Sequence, residues 1–329
     1  MLLRLKIIVA FFFLALLVSG PNVAADKATL KVSLLPFLSY APLFIAVEEG
    51  FFEEQDIEIE FVSMRGAGAA TTQLALGAID VSTDSTGANL FNAIAKGLNV
   101  KIVADKSQIN TESRYAGWMV RKELYDSGEV RKIEQLEGRK VAIEHPSVWG
   151  YVYDTLLRSG GLTLDDIEIV TIPTASKFEA LRSGAIDVAS TAEPIMTRME
   201  TEGFAVRLTG YAEHVNGYQS SSIVYGPNLL ENDRDLGRRF MVAYLKGVKQ
   251  FREGKTDRNL EIISKHTNLD IELLEKVSFP YFSPDGHVNV ESLLAAQDWL
   301  FENNYVDKKM STDQMIDRSF VDYATEMLD

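Results

Sequence analysis

The stretch Leu74-Ala-Leu-Gly-Ala-Ile-Asp-Val-Ser-Thr-Asp-Ser85 returns, little changed, as Leu181-Arg-Ser-Gly-Ala-Ile-Asp-Val-Ala-Ser-Thr-Ala192. Working outward, Lys31-Val-Ser-Leu-Leu-Pro36 answers to Lys140-Val-Ala-Ile-Glu-His-Pro146, and Asp56-Ile-Glu-Ile59 to Asp166-Ile-Glu-Ile169. The offsets are 109, 110 and 107, in the same chain order, so the repeat is a duplicated supersecondary unit. Lys31 to Leu35 and Lys140 to Ile143 are short, apolar and partly β-branched, as strands are. Between the blocks lie helical segments. Pro42 suits the first turn of a helix that stops at Gly50. Ser147 can cap a helix to Arg158, closed by Gly160-Gly161. Ser176 and Glu179 have capping-box spacing before a helix that ends at Gly184. The unit reads β-α-β-α-β, twice, which implies a mostly parallel sheet flanked by helices in each of two lobes. In each copy the Gly ends a helix and Ile-Asp-Val opens the third strand; the Asp is expected as a structural turn residue.

The first 25 residues carry a different message. Arg4 and Lys6 precede an apolar run, Ile7 to Val18, then Ser-Gly-Pro-Asn and Val23-Ala-Ala25. That is a secretory leader with a small-residue cleavage site, too short to span a bilayer. The chain has no cysteine, which excludes disulfides, thiol catalysis and a lipid-bearing cysteine at a mature N-terminus. A periplasmic, unanchored protein is therefore expected. Without the leader, 31 basic residues face 47 acidic ones, a net charge of −16, which disfavours nucleic acid and anionic membranes as partners. The four histidines are scattered without metal-ligand spacing, and neither a nucleophile elbow nor a P-loop is visible. Neither a catalytic group, a metal site nor a cofactor is expected.

Ala41-Pro-Leu-Phe-Ile-Ala-Val-Glu-Glu-Gly-Phe-Phe52, Leu76-Gly-Ala-Ile-Asp80, Leu136-Glu-Gly-Arg-Lys-Val-Ala142 and Ala180-Leu-Arg-Ser-Gly-Ala-Ile-Asp187 with Glu193-Pro194 give the mature chain a known look. It resembles the bacterial periplasmic solute-binding proteins of ABC importers, in the branch that handles nitrate, sulfonates, taurine and thiamine-type pyrimidine precursors. The resemblance implies the type II periplasmic binding fold: lobe one from 26–115 plus 221–329, lobe two from 116–220, and a two-segment hinge near Tyr115–Val120 and Gln219–Tyr225. It also implies a monomer that captures a small organic ligand and delivers it to a membrane permease. An exported ligand-sensing subunit or an enzyme on the same fold is the alternative.

In open α/β sheets ligands bind beyond the strand C-termini. Phe37, Ser39 and Tyr40 follow the first strand; Arg65 follows the second; Asp84, Ser85 and Thr86 follow the third. Ser147, Trp149 and Tyr151 occupy the matching place in the second copy, and Glu193 follows its third strand. The hydroxyls offer anion contacts or plain helix caps, and Arg65 can pair bidentately with a carboxylate, sulfonate or phosphate. Tyr40 and Phe37 opposite Trp149 and Tyr151 suit a sandwich around a flat or apolar solute. Trp118 falls in the expected hinge, facing either cleft or core. The aromatics of Phe240–Phe251, and Trp299 with Phe301, read as core packing.

Overall fold

The computed structural model describes residues 27–35, 37–64, 69–83, 86–144 and 149–329; the leader lies outside them. Ten strands form two five-stranded mixed sheets. The first contains β1 (Ala28–Leu34), β2 (Ile57–Ser63), β3 (Val81–Ser82), β4 (Lys101–Ile109) and β10 (Tyr218–Tyr225), in the order β2-β1-β3-β10-β4. The second contains β5 (Ala116–Arg121), β6 (Lys140–Ala142), β7 (Glu168–Val170), β8 (Val188–Ala192) and β9 (Ala205–Gly210), in the order β7-β6-β8-β5-β9. Position for position the two orders match. The repeated blocks supply the three parallel strands of each sheet: β1 runs parallel to β2 and β3, and β6 to β7 and β8. The fourth strand is antiparallel and comes from across the molecule. β10 enters the first sheet directly after β9 of the second, and β5 enters the second directly after β4 of the first.

The crossings therefore sit slightly earlier than the sequence suggests, at residues 110–115 and 211–217. Of the stretches read as hinge, Tyr115–Val120 and Gln219–Tyr225, all but Tyr115 lie in the first strand after each crossing. The second crossing opens with a short 3-10 helix, Tyr211–Glu213, and periodicity cannot mark where a segment acquires strand partners.

The repeated Gly-Ala-Ile-Asp-Val does the same work twice. Gly77 and Gly184 take φ of +70° and +77°, a left-handed turn that a side chain would strain. Asp80 Oδ2 then accepts from Lys31 N at 2.7 Å while Asp80 N donates to Lys31 O at 2.9 Å. Asp187 Oδ2 accepts from Lys140 N at 3.1 Å while its own N donates to Lys140 O at 2.8 Å. Each carboxylate thus locks the first strand, at Lys31 midway along β1 or at Lys140 where β6 begins, to the start of the third. The second oxygen ties in the returning chain: Asn228 Nδ2 donates to Asp80 Oδ1 and Arg121 Nη2 to Asp187 Oδ1, both at 2.7 Å.

Helices cover both faces of both sheets. Ala41–Glu48 carries Pro42 in its first turn and packs on Arg234–Phe251, whose Phe240, Tyr244, Val248 and Phe251 are buried. Trp299 is buried as expected, whereas Phe301, on the same helix Val290–Glu302, is 41% exposed because it falls on the opposite side. The helix read as starting at Ser176 begins at Thr174, directly after Pro173. Among the described residues no helix is long and apolar enough to cross a membrane.

Asp105, in β4, is fully enclosed. Its carboxyl accepts from Gln219 Nε2 at 2.6 Å and from Ser283 N at 2.8 Å, linking β4, β10 and the C-terminal part of the chain. Burial raises its pKa to about 7, against the opposing pull of these hydrogen bonds.

Two predictions follow from these carboxyl groups. Asp187→Ala leaves the Lys140 N–H and Arg121 Nη2 without their acceptor, while Arg121 Nη1 keeps Glu123, and should cost about 1–3 kcal/mol in urea unfolding; an unchanged midpoint would refute the clamp. For Asp105 the folded pKa is raised, so between about pH 4 and pH 7 the folded chain holds a proton that the unfolded chain has released. The stability of the native chain relative to Asp105→Asn should fall as pH rises through that window and flatten above it. A pH-independent difference between the two would contradict this.

Candidate functional site

Both sheets end in polar groups at the carboxyl edges of their parallel strands. In the first, Ser33 and Thr83, at the ends of β1 and β3, bond to each other: Thr83 N donates to Ser33 Oγ and Thr83 Oγ1 to Ser33 O, both at 2.9 Å. Thr86 Oγ1 lies 2.8 Å from Ser222 Oγ of β10. Lys106, a buried lysine of β4, donates to Ser39 Oγ at 3.1 Å and holds its ammonium 3.7 Å from the centre of the Tyr40 ring.

In the second, Glu144 follows β6. Its Oε2 accepts from Tyr153 OH at 2.7 Å and its Oε1 from Thr174 Oγ1 at 3.2 Å and from Lys177 Nζ. Lys177, wholly buried, also donates to Ser190 O at 2.9 Å. Ser190 Oγ lies 2.9 Å from Tyr153 OH and 2.6 Å from Tyr211 OH. Burial opposes the Glu144 charge, but Lys177 and the Tyr153 hydroxyl outweigh it and hold the carboxyl below its ordinary range. Burial also lowers the Lys177 pKa, opposed by Glu144, and raises both tyrosines.

The start of helix Gly150–Ser159 brings this edge against the first half. Tyr151 stacks on Tyr218 of β10 at 5.6 Å, Trp149 lies 6.2 Å from Tyr218, and Trp299 Nε1 donates to Asp154 Oδ2 at 3.0 Å. Gly150 permits the contact: a Cβ there would meet the Trp299 ring at 2.3 Å.

Against this geometry the expected contacts divide. Arg65, Asp84, Ser85 and Ser147 lie outside the described residues. Ser39 and Thr86 stand at the first edge, bonded to Lys106 and Ser222. Phe37, 50% exposed, is the one aromatic of the expected sandwich with a largely open ring. Tyr40 is 1% exposed, with Lys106 on its ring and Phe44 stacked beside it. Trp149 packs against Tyr211 and Tyr218, and Tyr151 stacks on Tyr218. Trp118 is a core residue of β5, with no exposed surface, paired between Ser190 and Thr209. Glu193 is a structural acceptor. Its side chain is 1% exposed, Oε1 takes Arg207 Nη2 at 3.1 Å, and Oε2 takes Thr197 N at 3.0 Å. Arg207 Nη1 further donates to Arg114 O at 2.6 Å, and Glu193 N donates to Tyr115 O at 2.8 Å, so this pair grips the first crossing.

Sequence reasoning missed Lys106, Glu144 and Lys177. Their signal is a charge in an apolar frame: Lys106 lies within a buried strand, Lys177 four residues before the core Leu181, and Glu144 where the first copy has Leu35. Among the described residues no cluster of His, Asp and Glu could hold a metal ion. Two surface pockets, one around Arg252 and Phe279–Phe282 and one between Arg198 and Leu273, lie elsewhere; neither is lined by a residue of the carboxyl edges.

The family model described as NMT1/THI5 like matches residues 38–254. The chain belongs to the NMT1/THI5-like family. A Bacillus subtilis (strain 168) protein assigned to aliphatic sulfonate binding is 24% identical over 98% of this chain and 96% of its own length. The periplasmic aliphatic sulphonate binding protein SsuA of Escherichia coli superposes with a TM-score of 0.71 at 18% identity, over 88% of this chain and 92% of SsuA. The desulfurization enzyme DSZB superposes with a TM-score of 0.67 at 16% identity, over 92% of this chain and all of DSZB's, 100%. Solved proteins of the same fold thus include a binding protein and an enzyme.

The Glu193–Arg207 pair yields a prediction. Arg207→Met strands a buried carboxylate and frees the Arg114 carbonyl, and should cost about 3 kcal/mol in urea unfolding. If Arg207 were instead an exposed solute contact, stability without solute would not change.

Proposed function

We propose that this NMT1/THI5-like chain is an extracytoplasmic solute receptor of an ABC importer. It would close on a small organic solute between two lobes, 26–115 with 221–329 and 116–220, and present the closed form to a membrane permease. The observation that carries this reading is the pair of matching sheets, each completed by a strand that crosses from the other, with charged and hydroxyl groups at their carboxyl edges. Duplicated halves joined by two short crossings suit a hinge, and a solute that touches both edges stabilises the closed arrangement by its differential contacts. The near full-length relative assigned to sulfonate binding supports the same role, the leader Met1–Ala25 supports export to the periplasm with cleavage, and the cysteine-free sequence supports a protein without a lipid-bearing cysteine. The reading is of a monomer without cofactor or metal.

DSZB gives the enzyme reading a specific footing on this fold. The two readings separate in one experiment. The purified mature chain is screened by thermal unfolding against aliphatic and aromatic sulfonates, taurine, pyrimidines, nitrate and bicarbonate, and each hit is incubated with the protein and analysed by mass spectrometry. A receptor should melt higher in proportion to the logarithm of solute concentration, by about 5 °C at a hundredfold excess over Kd, and return the compound intact. Conversion of the compound would establish the enzyme, and the absence of any shift across the panel would sink the receptor.

A further inference from the structure

The duplicated unit contains its own control. Where the second copy has Glu144 the first has Leu35, and where the second has Lys177 the first has Ala70, aligned through Leu181 with Leu74 and Gly184 with Gly77. Ala70 is buried and Leu35 packs against the same apolar cluster. The unit therefore folds with apolar residues at both places. An ion pair with one partner fully buried is often no better for folding than well-packed apolar residues, so stability does not by itself account for the pair in the second copy.

Its geometry supplies one. Lys177 is 0% exposed, Tyr153 1% and Tyr211 2%, yet the Glu144 side chain they support is 38% exposed. It lies at the carboxyl edge of the second sheet, where ligands of open α/β sheets bind. The carboxylate is held by donors from two separate helices: Tyr153 from Gly150–Ser159, and Thr174 with Lys177 from Thr174–Arg182. An ionised carboxylate only accepts hydrogen bonds. Fixed in orientation and kept ionised, it is a preorganised acceptor, and the Lys177 charge beneath cancels its own, so it reads a donor without demanding a full positive charge.

We propose that Glu144 is the solute contact of the second lobe, an acceptor for an N–H group, and that Lys177 is the positioning residue that aims it. The solute class is thereby narrowed to molecules bearing an amine, amide or amino-heterocycle nitrogen. This rests on the receptor reading and refines it.

The test uses matched probes that differ in the donor: taurine against ethanesulfonate, aminopyrimidine against methylpyrimidine, benzamide against methyl benzoate, together with any compound that native mass spectrometry finds retained. The wild-type chain should bind the donor-bearing member at least about 10-fold more tightly, the scale of a hydrogen bond to a charged group. The double variant Glu144→Leu with Lys177→Met, which copies the apolar character of the first half, should melt no lower than wild type without probe yet lose that preference. Glu144→Gln, which keeps the shape, should weaken the donor-bearing probe by about 10-fold even if the double variant does not fold. Lys177→Met removes the principal group that lowers the Glu144 pKa against burial, so the carboxyl of that variant should take up its proton at a higher pH than in wild type. As pH is lowered, binding in that variant should be lost before binding in wild type. A merely structural lysine would not produce that profile. Equal affinity for both members of each bound pair, or a double variant with wild-type preference, overturns the proposal and leaves the receptor standing. If no probe or retained compound binds wild type, both fall together.

Discussion

Each half of this protein hangs on one carboxylate hydrogen-bonded to one backbone N–H. Asp80 and Asp187 hold the first and third strands of their sheets in register where the third begins, Lys31 against Asp80 and Lys140 against Asp187. Each reaches the incoming fourth strand's neighbourhood as well, through Asn228 or Arg121. A charged acceptor on a backbone donor is worth roughly twice a neutral pair and is directional. Register at one end of a parallel sheet fixes which residues emerge at the other end. The placement of Ser33, Thr83, Glu144 and Ser190 at the carboxyl edges thus follows from clamps two to four residues earlier along the same strands.

Those edges are where the chain departs from its own repeat. The clamps, the left-handed glycines and the strand order are common to both copies; the charges are not. Lys106 lies on a strand that belongs to no repeated block, and Glu144 with Lys177 replaces Leu35 and Ala70. Duplication supplied two frames with the same geometry, and substitution at a few edge positions gave each a different chemistry: an ammonium and hydroxyls in the first, a carboxylate and tyrosine hydroxyls in the second. A pair of edges that differ in this way can orient an asymmetric solute, which two identical edges cannot.

The same distinction decides what was legible in the sequence. The two-lobed α/β fold could be read because hydrophobic blocks, Gly-Asp turns and their spacing recur at nearly constant offset, and each copy corroborates the other. Asp80 and Asp187 were readable as structural because a catalytic residue has no reason to be repeated in both halves. The site was readable only as a neighbourhood. Whether Tyr40 or Trp149 faces solvent depends on a few tens of degrees of backbone at a short turn, and the presence of Lys106 over the Tyr40 ring is a contact 66 residues apart in sequence. Trp118 and Glu193 look like cleft residues from their position in the chain, but β5 is flanked on both sides, by β8 and β9, and Arg207 returns from β9 to cover the carboxylate. Such pairings are made by strand order, which local pattern does not encode.

The junction between the halves completes the picture. The helix that begins at Gly150 starts at the same edge as Glu144 and rests its first turn on Trp299 and Tyr218 of the other half. The approach is close because residue 150 has no side chain; a single methyl there would collide with the indole. The crossings beside it are held by backbone bonds to side chains, Thr111 N to Asn216 Oδ1 and Arg114 O from Arg207. Any movement that parts the halves must therefore turn about this aromatic contact or break it. Tyr153, on that same helix, donates to Glu144, so a hydrogen bond links the acceptor to the helix whose first turn rests on the other half. On the proposed reading, a solute bound at Glu144 would act through Tyr153 on this aromatic contact, and binding and the packing between the halves would be coupled through one hydrogen bond.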